Sequence, residues 1–333
     1  MEGLFEKLNL KKKAASFFSG SLRFLKGPLG RAWTVFLIFV VLLISIAGFL
    51  PKNTTISQSA MVALTSSGSE KLVMKPLTPP QDPAFQKYAQ PTAVADGAAV
   101  AALIITNLGL DPKLLDQAKS SFPKEVTFAL NPGSPNLSQL IKDLRADGRE
   151  VILMVPMEPL DYPQSDPGPN LLLTSINPED NLGRLRETLK TADGIVGVTN
   201  FMGEAFVRSI EHVRPILSLL KEGGYLVMDT TLSEKSEIPP LSTELGMQNL
   251  LVKSQSFEDL TDSKFRAAAL SNVERLAKRD MSVIAYAPAF PKDVETLSDW
   301  SKGLKEKGIT LVPLTFAAHY TATPVKDTAA PLH

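Results

Sequence analysis

From Ala98 onward, short apolar runs alternate with amphipathic segments, and this alternation limits the folds open to the chain. Eight apolar runs occur, at 99–105, 126–130, 151–155, 195–198, 225–228, 249–252, 282–286 and 309–314. Strands that alternate with helices at this spacing predict an α/β fold with a mainly parallel sheet covered by helices. Eight strands favour a (β/α) barrel, and an open doubly wound sheet is the alternative.

The segments between these runs have helical character and recognisable ends. Helices are predicted over 112–120, 136–147, 178–190, 205–222, 258–279 and 292–307. Asn177 followed by Pro178 suits an N-cap and the first helical turn. Glycines at 148, 223 and 308 are typical of helix ends. The predicted globular domain therefore covers residues 98–320.

The N-terminal part predicts a membrane anchor. Residues 32–50 contain no charged side chain, and a helix of that length can span a hydrocarbon core of about 30 Å. The preceding residues 1–31 hold seven Lys or Arg and two Glu, which favours a cytoplasmic location for this head. The alternative, a cleaved signal peptide, needs a shorter apolar region and a small-residue cleavage site. We therefore expect a single-pass inner-membrane protein whose globular domain is exported to the periplasm.

The remaining segments and the composition narrow the function classes. Residues 51–97 are rich in Ser, Thr, Pro, Gln and Ala, which predicts a flexible linker. Residues 321–333 predict a disordered tail. The chain has no cysteine, which excludes disulfides and thiolate metal sites. A net charge of zero gives no support for nucleic-acid binding.

One predicted loop has an unusual composition. The stretch VPMEPLDYPQSDPGPN, residues 155–170, holds five prolines and three carboxylates. Because proline fixes φ, such a loop presents its side chains at low entropic cost. In parallel α/β folds the loops at the carboxyl ends of strands carry ligand and catalytic groups. This loop is therefore either part of a site or a structural cover over it.

Five stretches together resemble the motifs of the divergent polysaccharide deacetylases, exported bacterial relatives of the metal-dependent carbohydrate esterases. They are LIITNLGLD (103–111), GREVILMVPMEPLDYPQSDPGPN (148–170), IVGVTNFMGEAF (195–206), YLVMDTTLS (225–233) and GITLVPLT (308–315). The resemblance covers about residues 98–318. It implies a distorted (β/α) barrel of the deacetylase type, and a divalent metal such as zinc as cofactor.

The chain departs from the family pattern at the positions that would hold the metal. Thr106 and Asn107 stand where the family has two adjacent aspartates. Met154 and Phe201 stand where it has histidines, and Ala287-Pro288 replaces a Gly-His pair. Ester or amide hydrolysis in this superfamily needs carboxylate and imidazole ligands and a carboxylate base. We therefore expect no metal and no cofactor, and we assign no catalytic residue.

The three histidines do not offer replacements. His212 falls within a predicted helix and is expected to be a surface or packing residue. His319 follows the last predicted strand, where the barrel rim is within reach in principle. His333 ends the predicted tail.

Five polar residues of the motifs remain as ligand-binding candidates, each with a structural alternative: Glu158, Asp166, Asn200, Glu204 and Asp229. The leading hypothesis is an inactive family member that binds envelope polysaccharide or an envelope protein. A second hypothesis is a hydrolase, a deacetylase or a glycosidase, that uses pairs of the surviving carboxylates. A third is a protein adaptor whose groove is filled by Phe201, Met154 and Met157.

Overall fold

A computed structural model describes residues 82–231, 233–257 and 263–320 of the protein, with side chains of the last range from Arg266. The predicted head, anchor and tail, and the linker up to residue 81, lie outside the described residues. Within these ranges no helix combines the length and the apolar character needed to cross a bilayer.

The described residues contain nine strands. They are β1 Ala99–Leu108, β2 Thr127–Leu130, β3 Val151–Met157, β4 Gly197–Met202, β5 Leu226–Met228, β6 Leu251–Val252, β7 Gln255–Ser256, β8 Ser282–Pro288 and β9 Ile309–Leu311. Eight of the nine overlap the predicted apolar runs. The short β7 was not predicted.

The helices follow the predicted amphipathic segments, with additions. They are α1 Ala84–Lys87, α2 Pro112–Ser121, α3 Leu137–Ala146, α4 Pro178–Lys190, α5 Ile210–Gly223, α6 Ile238–Glu244, α7 Ser263–Asp280, α8 Pro291–Gly303 and α9 Leu314–His319. Asn177 caps α4 by accepting a hydrogen bond from the Glu179 amide at 2.9 Å, as its sequence predicts. Helix α5 begins later than predicted, because a 3₁₀ turn at Phe206–Arg208 precedes it.

All strand pairs are parallel, in the order β6-β5-β4-β3-β2-β1-β8-β7, with β9 beside the start of β1. The strands at the two ends of this order, β6 and β7, are separated in the chain only by Lys253 and Ser254. Three Cα–Cα steps span at most about 11 Å, so the sheet curls back toward itself. The predicted α/β fold is confirmed as a curled, all-parallel sheet covered by helices.

The strand register assigns side chains to two faces of the sheet. Val198 of β4 and Val227 of β5 are paired and line a gap against Val213 and Ile216 of α5. Side chains alternate along a strand, so the neighbouring positions point away from α5, toward the inside of the curl. We call this the inner face. Its residues include Met154 and Thr199, which are paired, Met228, Phe201, and Thr106 and Tyr286 on β1 and β8.

The amino ends of the strands are covered by α1 and α9. The Phe85 amide donates to the Gly224 carbonyl at 3.0 Å, before β5, and the Phe85 ring stacks on His319 with 4.6 Å between centroids. Tyr320 donates its hydroxyl to the Ala98 carbonyl at 2.8 Å, before β1. The folded part thus begins by residue 84, earlier than the predicted boundary at 98, because Phe85 is buried.

A buried carboxylate joins these segments to the sheet. Glu150, 1% exposed at the start of β3, accepts hydrogen bonds from the amides of Gln90 and Thr315, both at 2.9 Å, and from the Thr315 hydroxyl. Burial raises the pKa of Glu150, and these hydrogen bonds and the Arg145 charge partly offset that rise. Glu150 therefore fixes the chain before β1 and the first turn of α9 to one point.

Candidate functional site

The end of β1 contains an irregularity at the first motif. The pairing of β1 with β2 shifts register between Ile105 and Leu108, and Asn107 has a φ of +61°. This is a β-bulge with its extra residue in the left-handed region, which asparagine tolerates better than most residues. Thr106 is buried and donates its hydroxyl to the Ala287 carbonyl at 3.4 Å. Asn107 is exposed, so the two adjacent residues have different surroundings.

Met154 of β3 lies beside this bulge on the inner face. Its sulfur is 3.2 Å from the backbone nitrogen of Asn107 and accepts a weak hydrogen bond. Phe201 of β4 is half-buried on the same face, with Pro156 as its partner on β3. Thr106, Met154 and Phe201, three of the positions that depart from the family pattern, therefore lie on the same inner face, as the motif order implied.

The end of β4 has a second irregular backbone. Met202 has a φ of +57° and Gly203 a φ of +107°. A Cβ on Gly203 would lie 2.8 Å from the Met157 Cβ, so only glycine fits this position. Backbone strain of this kind costs about 1–3 kcal/mol per residue and is concentrated at functional sites. The irregular backbone thus occurs at two of the motif positions, after β1 and after β4.

Asn200, one of the ligand-binding candidates, does not face this inner site. Its position between Thr199 and Phe201 turns it to the α5 side, where it is 4% exposed. Its Oδ1 accepts the Thr230 amide at 2.7 Å, and its Nδ2 donates to the Met202 carbonyl at 2.5 Å. Asn200 therefore ties the loop after β4 to the loop after β5.

Asp229 has its carboxylate fully engaged within its own loop. Oδ1 accepts the amide and hydroxyl of Thr231 at 2.9 and 2.8 Å, and Oδ2 accepts the Ser236 hydroxyl at 2.5 Å. These contacts support a structural role for Asp229, which was the alternative to ligand binding in the sequence analysis.

The other candidate carboxylates lie in or beside the proline-rich loop. Glu158 Oε2 accepts the amide and hydroxyl of Thr174 at 2.5 and 2.6 Å. The Glu158 carbonyl accepts the amides of Ala205 and Phe206, both at 3.1 Å, which brings Glu204 next to Glu158 along the backbone. Asp166 is exposed and accepts the Gly168 amide at 2.9 Å. The backbones of Glu158 and Glu204 are thus close together, as those of Asn200 and Asp229 are through the Thr230 amide.

Comparison with known proteins gives the family. A model of the divergent polysaccharide deacetylases matches residues 103–317. The chain belongs to this family. Two uncharacterized relatives are each 23% identical to it. The protein of Haemophilus influenzae aligns over 62% of this chain and 72% of its own length, and YibQ of Escherichia coli over 69% and 70%.

A solved structure supports the fold of this divergent deacetylase domain. The crystal structure of the uncharacterized protein ATU2773 from Agrobacterium tumefaciens superposes with a TM-score of 0.64 at 26% identity. The match covers 70% of this chain and 94% of that one. None of these relatives is described by an activity.

The residues at the family's metal positions do not fit a divalent metal in this family member. The inner face offers a hydroxyl, a thioether and a phenyl ring at Thr106, Met154 and Phe201, and Asn107 points to solvent. A thioether is a poor ligand for zinc. Among the described residues, no three His, Cys, Asp or Glu side chains are grouped closely enough to hold an ion. No reaction step through a metal follows from this set.

The two described histidines are held by structural contacts. His212 is 6% exposed, with Nδ1 2.8 Å from the Ser209 hydroxyl and Nε2 3.0 Å from the Ile176 carbonyl, which confirms its packing role. The ring nitrogens of His319 face the carbonyls of Thr315 and Asn249, both at 2.9 Å, at the amino end of the sheet. His319 therefore lies at the end of the sheet opposite the end of β1 that carries Thr106 and Asn107.

Sequence reasoning missed inner-face hydroxyls that lie near the motifs. Tyr286 is buried and donates its hydroxyl to the Thr230 carbonyl at 3.2 Å. Ser256, paired with Tyr286, and Ser254 have buried hydroxyls that lack a hydrogen-bond partner within the described residues. The available signal was the alternation of Ser254 and Ser256, but only Ser256 lies in the two-residue strand β7, which was too short to recognise.

Proposed function

We propose that this chain is a catalytically inactive member of the divergent polysaccharide deacetylases that acts as a binding or scaffolding module of the bacterial envelope. The curled sheet forms a distorted barrel, since Lys253 and Ser254 join the strands at its two ends. Residues 32–50 anchor the protein in the inner membrane, with residues 1–31 in the cytoplasm and the barrel in the periplasm. The partner is an envelope polysaccharide or an envelope protein.

The observation that carries this proposal is the chemistry of the inner face at the carboxyl ends of the strands. The backbone is irregular after β1 and β4, and Thr106, Met154 and Phe201 there present no carboxylate or imidazole. Amide hydrolysis by a metal-bound water needs both kinds of group at once. Losses on separate strands remove the ligands and the base together.

Metal content and acetate release test this proposal. The full chain, purified in detergent, is analysed for zinc, nickel, cobalt and manganese, and is then incubated with N-acetylglucosamine oligomers while free acetate is measured. We expect a metal content far below one ion per chain and no acetate above a heat-denatured sample. One tightly bound ion per chain together with acetate release would overturn the proposal.

A hydrolase that uses carboxylates is the second candidate, and one contact favours it. The Glu158 carbonyl holds the amide of Ala205, which brings Glu204 beside Glu158. Glycosidases use two carboxyl groups about 5–9.5 Å apart. The test is hydrolysis of polysaccharide by the wild type and by Glu158→Gln and Glu204→Gln. Activity that either substitution abolishes would favour this candidate over the inactive module.

A further inference from the structure

Exposed apolar side chains are concentrated at one end of the domain. Within the described residues, the large hydrophobic side chains that are exposed are Leu110 at 57%, Leu160 at 62%, Tyr162 at 38%, Ile210 at 48% and Phe290 at 44%. Leu110 follows β1, Leu160 and Tyr162 follow β3, Ile210 follows β4, and Phe290 follows β8. All five therefore lie at the carboxyl ends of the strands. We call these residues the apolar rim.

This distribution is not what scattered surface residues would give. Single exposed apolar residues are normal, but a group on one face marks an interaction surface. These residues follow four strands that are close together in the sheet. The strands form the continuous run β4-β3-β2-β1-β8, in which only β2 is not followed by such a residue. The apolar rim thus follows four of five neighbouring strands, at the carboxyl-end opening of the curled sheet, which we call the mouth.

The proline-rich loop that carries Leu160 and Tyr162 is held in place. Asp161 accepts the Ser165 hydroxyl at 2.7 Å, and Glu158 is bound to Thr174 at the base of the loop. Five prolines between 155 and 170 restrict its backbone further. Binding to a preordered loop costs little conformational entropy, so the two exposed side chains are suited to act as anchors.

The loops around the apolar rim are strongly acidic. Loops at the carboxyl ends span 109–111, 131–136, 158–176, 203–209, 229–237 and 289–290. They contain eight Asp or Glu residues and two basic residues, Arg208 and Lys235, and the short connection after β6 adds one more, Lys253. An acidic surface repels the anionic headgroups of a bacterial membrane and attracts basic groups. Complementary charge guides association and suppresses wrong partners.

We propose that the mouth is a docking surface for a protein segment that presents apolar side chains bordered by lysine or arginine. The apolar rim, with Leu160 and Tyr162 as its exposed anchors, contacts the apolar side chains, and the acidic loops contact the basic border. This deepens the proposed function and rests on it, because it names the partner class of the same mouth. The occupant is a protein rather than a polysaccharide or a lipid surface.

Defined probes test the docking surface on the full chain in phosphatidylcholine nanodiscs, with empty nanodiscs as the blank. The first probe is an amphipathic peptide with Leu and Phe on one face and Lys on the other; the second has Glu in place of Lys. We expect the Lys peptide to bind at least about tenfold more tightly, with an affinity that falls as salt rises. Equal affinities for the two peptides would overturn the proposal.

Matched variants locate the binding. Leu160→Ser with Tyr162→Ser should weaken Lys-peptide binding by about tenfold or more, as loss of interface anchors does. Asp161→Asn with Asp166→Asn should weaken Lys-peptide binding by a smaller factor and reduce its salt dependence. Glu187→Gln with Asp280→Asn makes the same charge change on exposed sites outside the mouth, and it should change neither the affinity nor its salt dependence. Unchanged binding in the first variant would overturn the proposal.

Two further probes separate the other occupants. Soluble N-acetylglucosamine oligomers are added as a competitor of the bound Lys peptide, and vesicles of phosphatidylglycerol are tested for direct binding to the protein without peptide. We expect the oligomers not to displace the peptide from the wild type beyond the loss seen with empty nanodiscs, and the vesicles not to bind. Displacement by the oligomers would assign the mouth to polysaccharide, and direct vesicle binding that Leu160→Ser abolishes would assign it to lipid. The metal and acetate measurements do not depend on either outcome, so failure here is distinguishable from failure of the proposed function.

Discussion

The backbone amide of Asn107 donates to the sulfur of Met154 across 3.2 Å. It links the end of β1 to β3 at two positions where the family motif has an aspartate and a histidine. The contact comes from the Asn107 backbone, and the Asn107 side chain is exposed. These two positions therefore present neither a carboxylate nor an imidazole to an ion between the end of β1 and β3.

We predict that zinc does not stabilise the folded domain. A bound ligand at about 100 times its dissociation constant adds about 2.7 kcal/mol to the free energy of unfolding. Urea unfolding of the full chain in the presence and absence of millimolar zinc should give free energies that agree within error. EDTA-treated protein is the control. A saturable increase in the free energy of unfolding of about 2.7 kcal/mol would show that the inner face or its loops bind an ion.

Gly203→Ala should destabilise the domain by about 2 kcal/mol or more, because of its left-handed φ and its contact with Met157. Gly183→Ala is the matched control. Gly183 lies inside α4 with no atom within 4 Å of a Cβ, so alanine should leave stability unchanged or add up to about 1 kcal/mol. Chemical unfolding of both variants measures the difference. A Gly203→Ala protein as stable as wild type would show that the turn after β4 relaxes.

Asn200→Ala should lower the free energy of unfolding by about 1–3 kcal/mol, since the Thr230 amide loses its acceptor. Thr230→Val keeps the hydrogen bond from the residue 230 amide and removes only the longer hydrogen bonds of the hydroxyl, at 3.2 Å. Its effect on the free energy of unfolding should therefore be smaller. Denaturant unfolding provides both values. If Asn200→Ala leaves stability intact but abolishes ligand binding, Asn200 is a binding residue and the structural role is wrong.

The stability that depends on Glu150 should fall as pH rises. Burial raises the pKa of Glu150 above its ordinary value near 4.5, so the folded state keeps the proton to higher pH than the unfolded state. Between the two pKa values the folded state binds more protons, and the free energy of unfolding decreases with pH. The difference between wild type and Glu150→Gln should therefore be more favourable to wild type at about pH 5 than at about pH 8.

Unfolding of both proteins across this range checks the Glu150 prediction. Exposed Glu187→Gln, which alters a surface contact with Lys190, controls for general effects of removing a carboxylate. A wild-type advantage over Glu150→Gln that grows with pH would contradict the direction of the pKa shift.

The regular elements were predictable because their apolar periods are local. The strands from β1 to β5 and helices α2 to α5 match runs that the sequence shows directly. Helix α6 was not predicted, although its two prolines lie in the first turn, where proline is favoured. Helix α9 was not predicted either, and its first residue, Leu314, was included in the last predicted strand. Helix α1 was interpreted as linker, since its burial depends on a distant partner, Gly224.

The sequence predicted where the motif residues lie along the strands better than it predicted the face of the sheet to which each side chain points. The motif order placed Thr106, Met154 and Phe201 at the carboxyl ends, where they lie. The adaptor hypothesis grouped Met157 with Met154 and Phe201, and this is wrong: Met157 is three residues from Met154, so it lies on the α5 side with Asn200. Counting alternate residues along β3 would have shown it. The hydrogen bonds that occupy Asp229 could not be read from sequence, because Ser236 reaches it from a later turn.

Phe85 and Tyr320, near the two ends of the described chain, both contact the amino side of the sheet, at Gly224 and Ala98. The two ends of the described chain therefore lie at the amino side of the sheet, and the acidic loops of the mouth lie at the opposite, carboxyl side. A label or a solid support joined at Tyr320 would leave the mouth facing outward. Protein immobilised in this way can be used to measure ligand binding at the mouth, because the mouth is not blocked by the support.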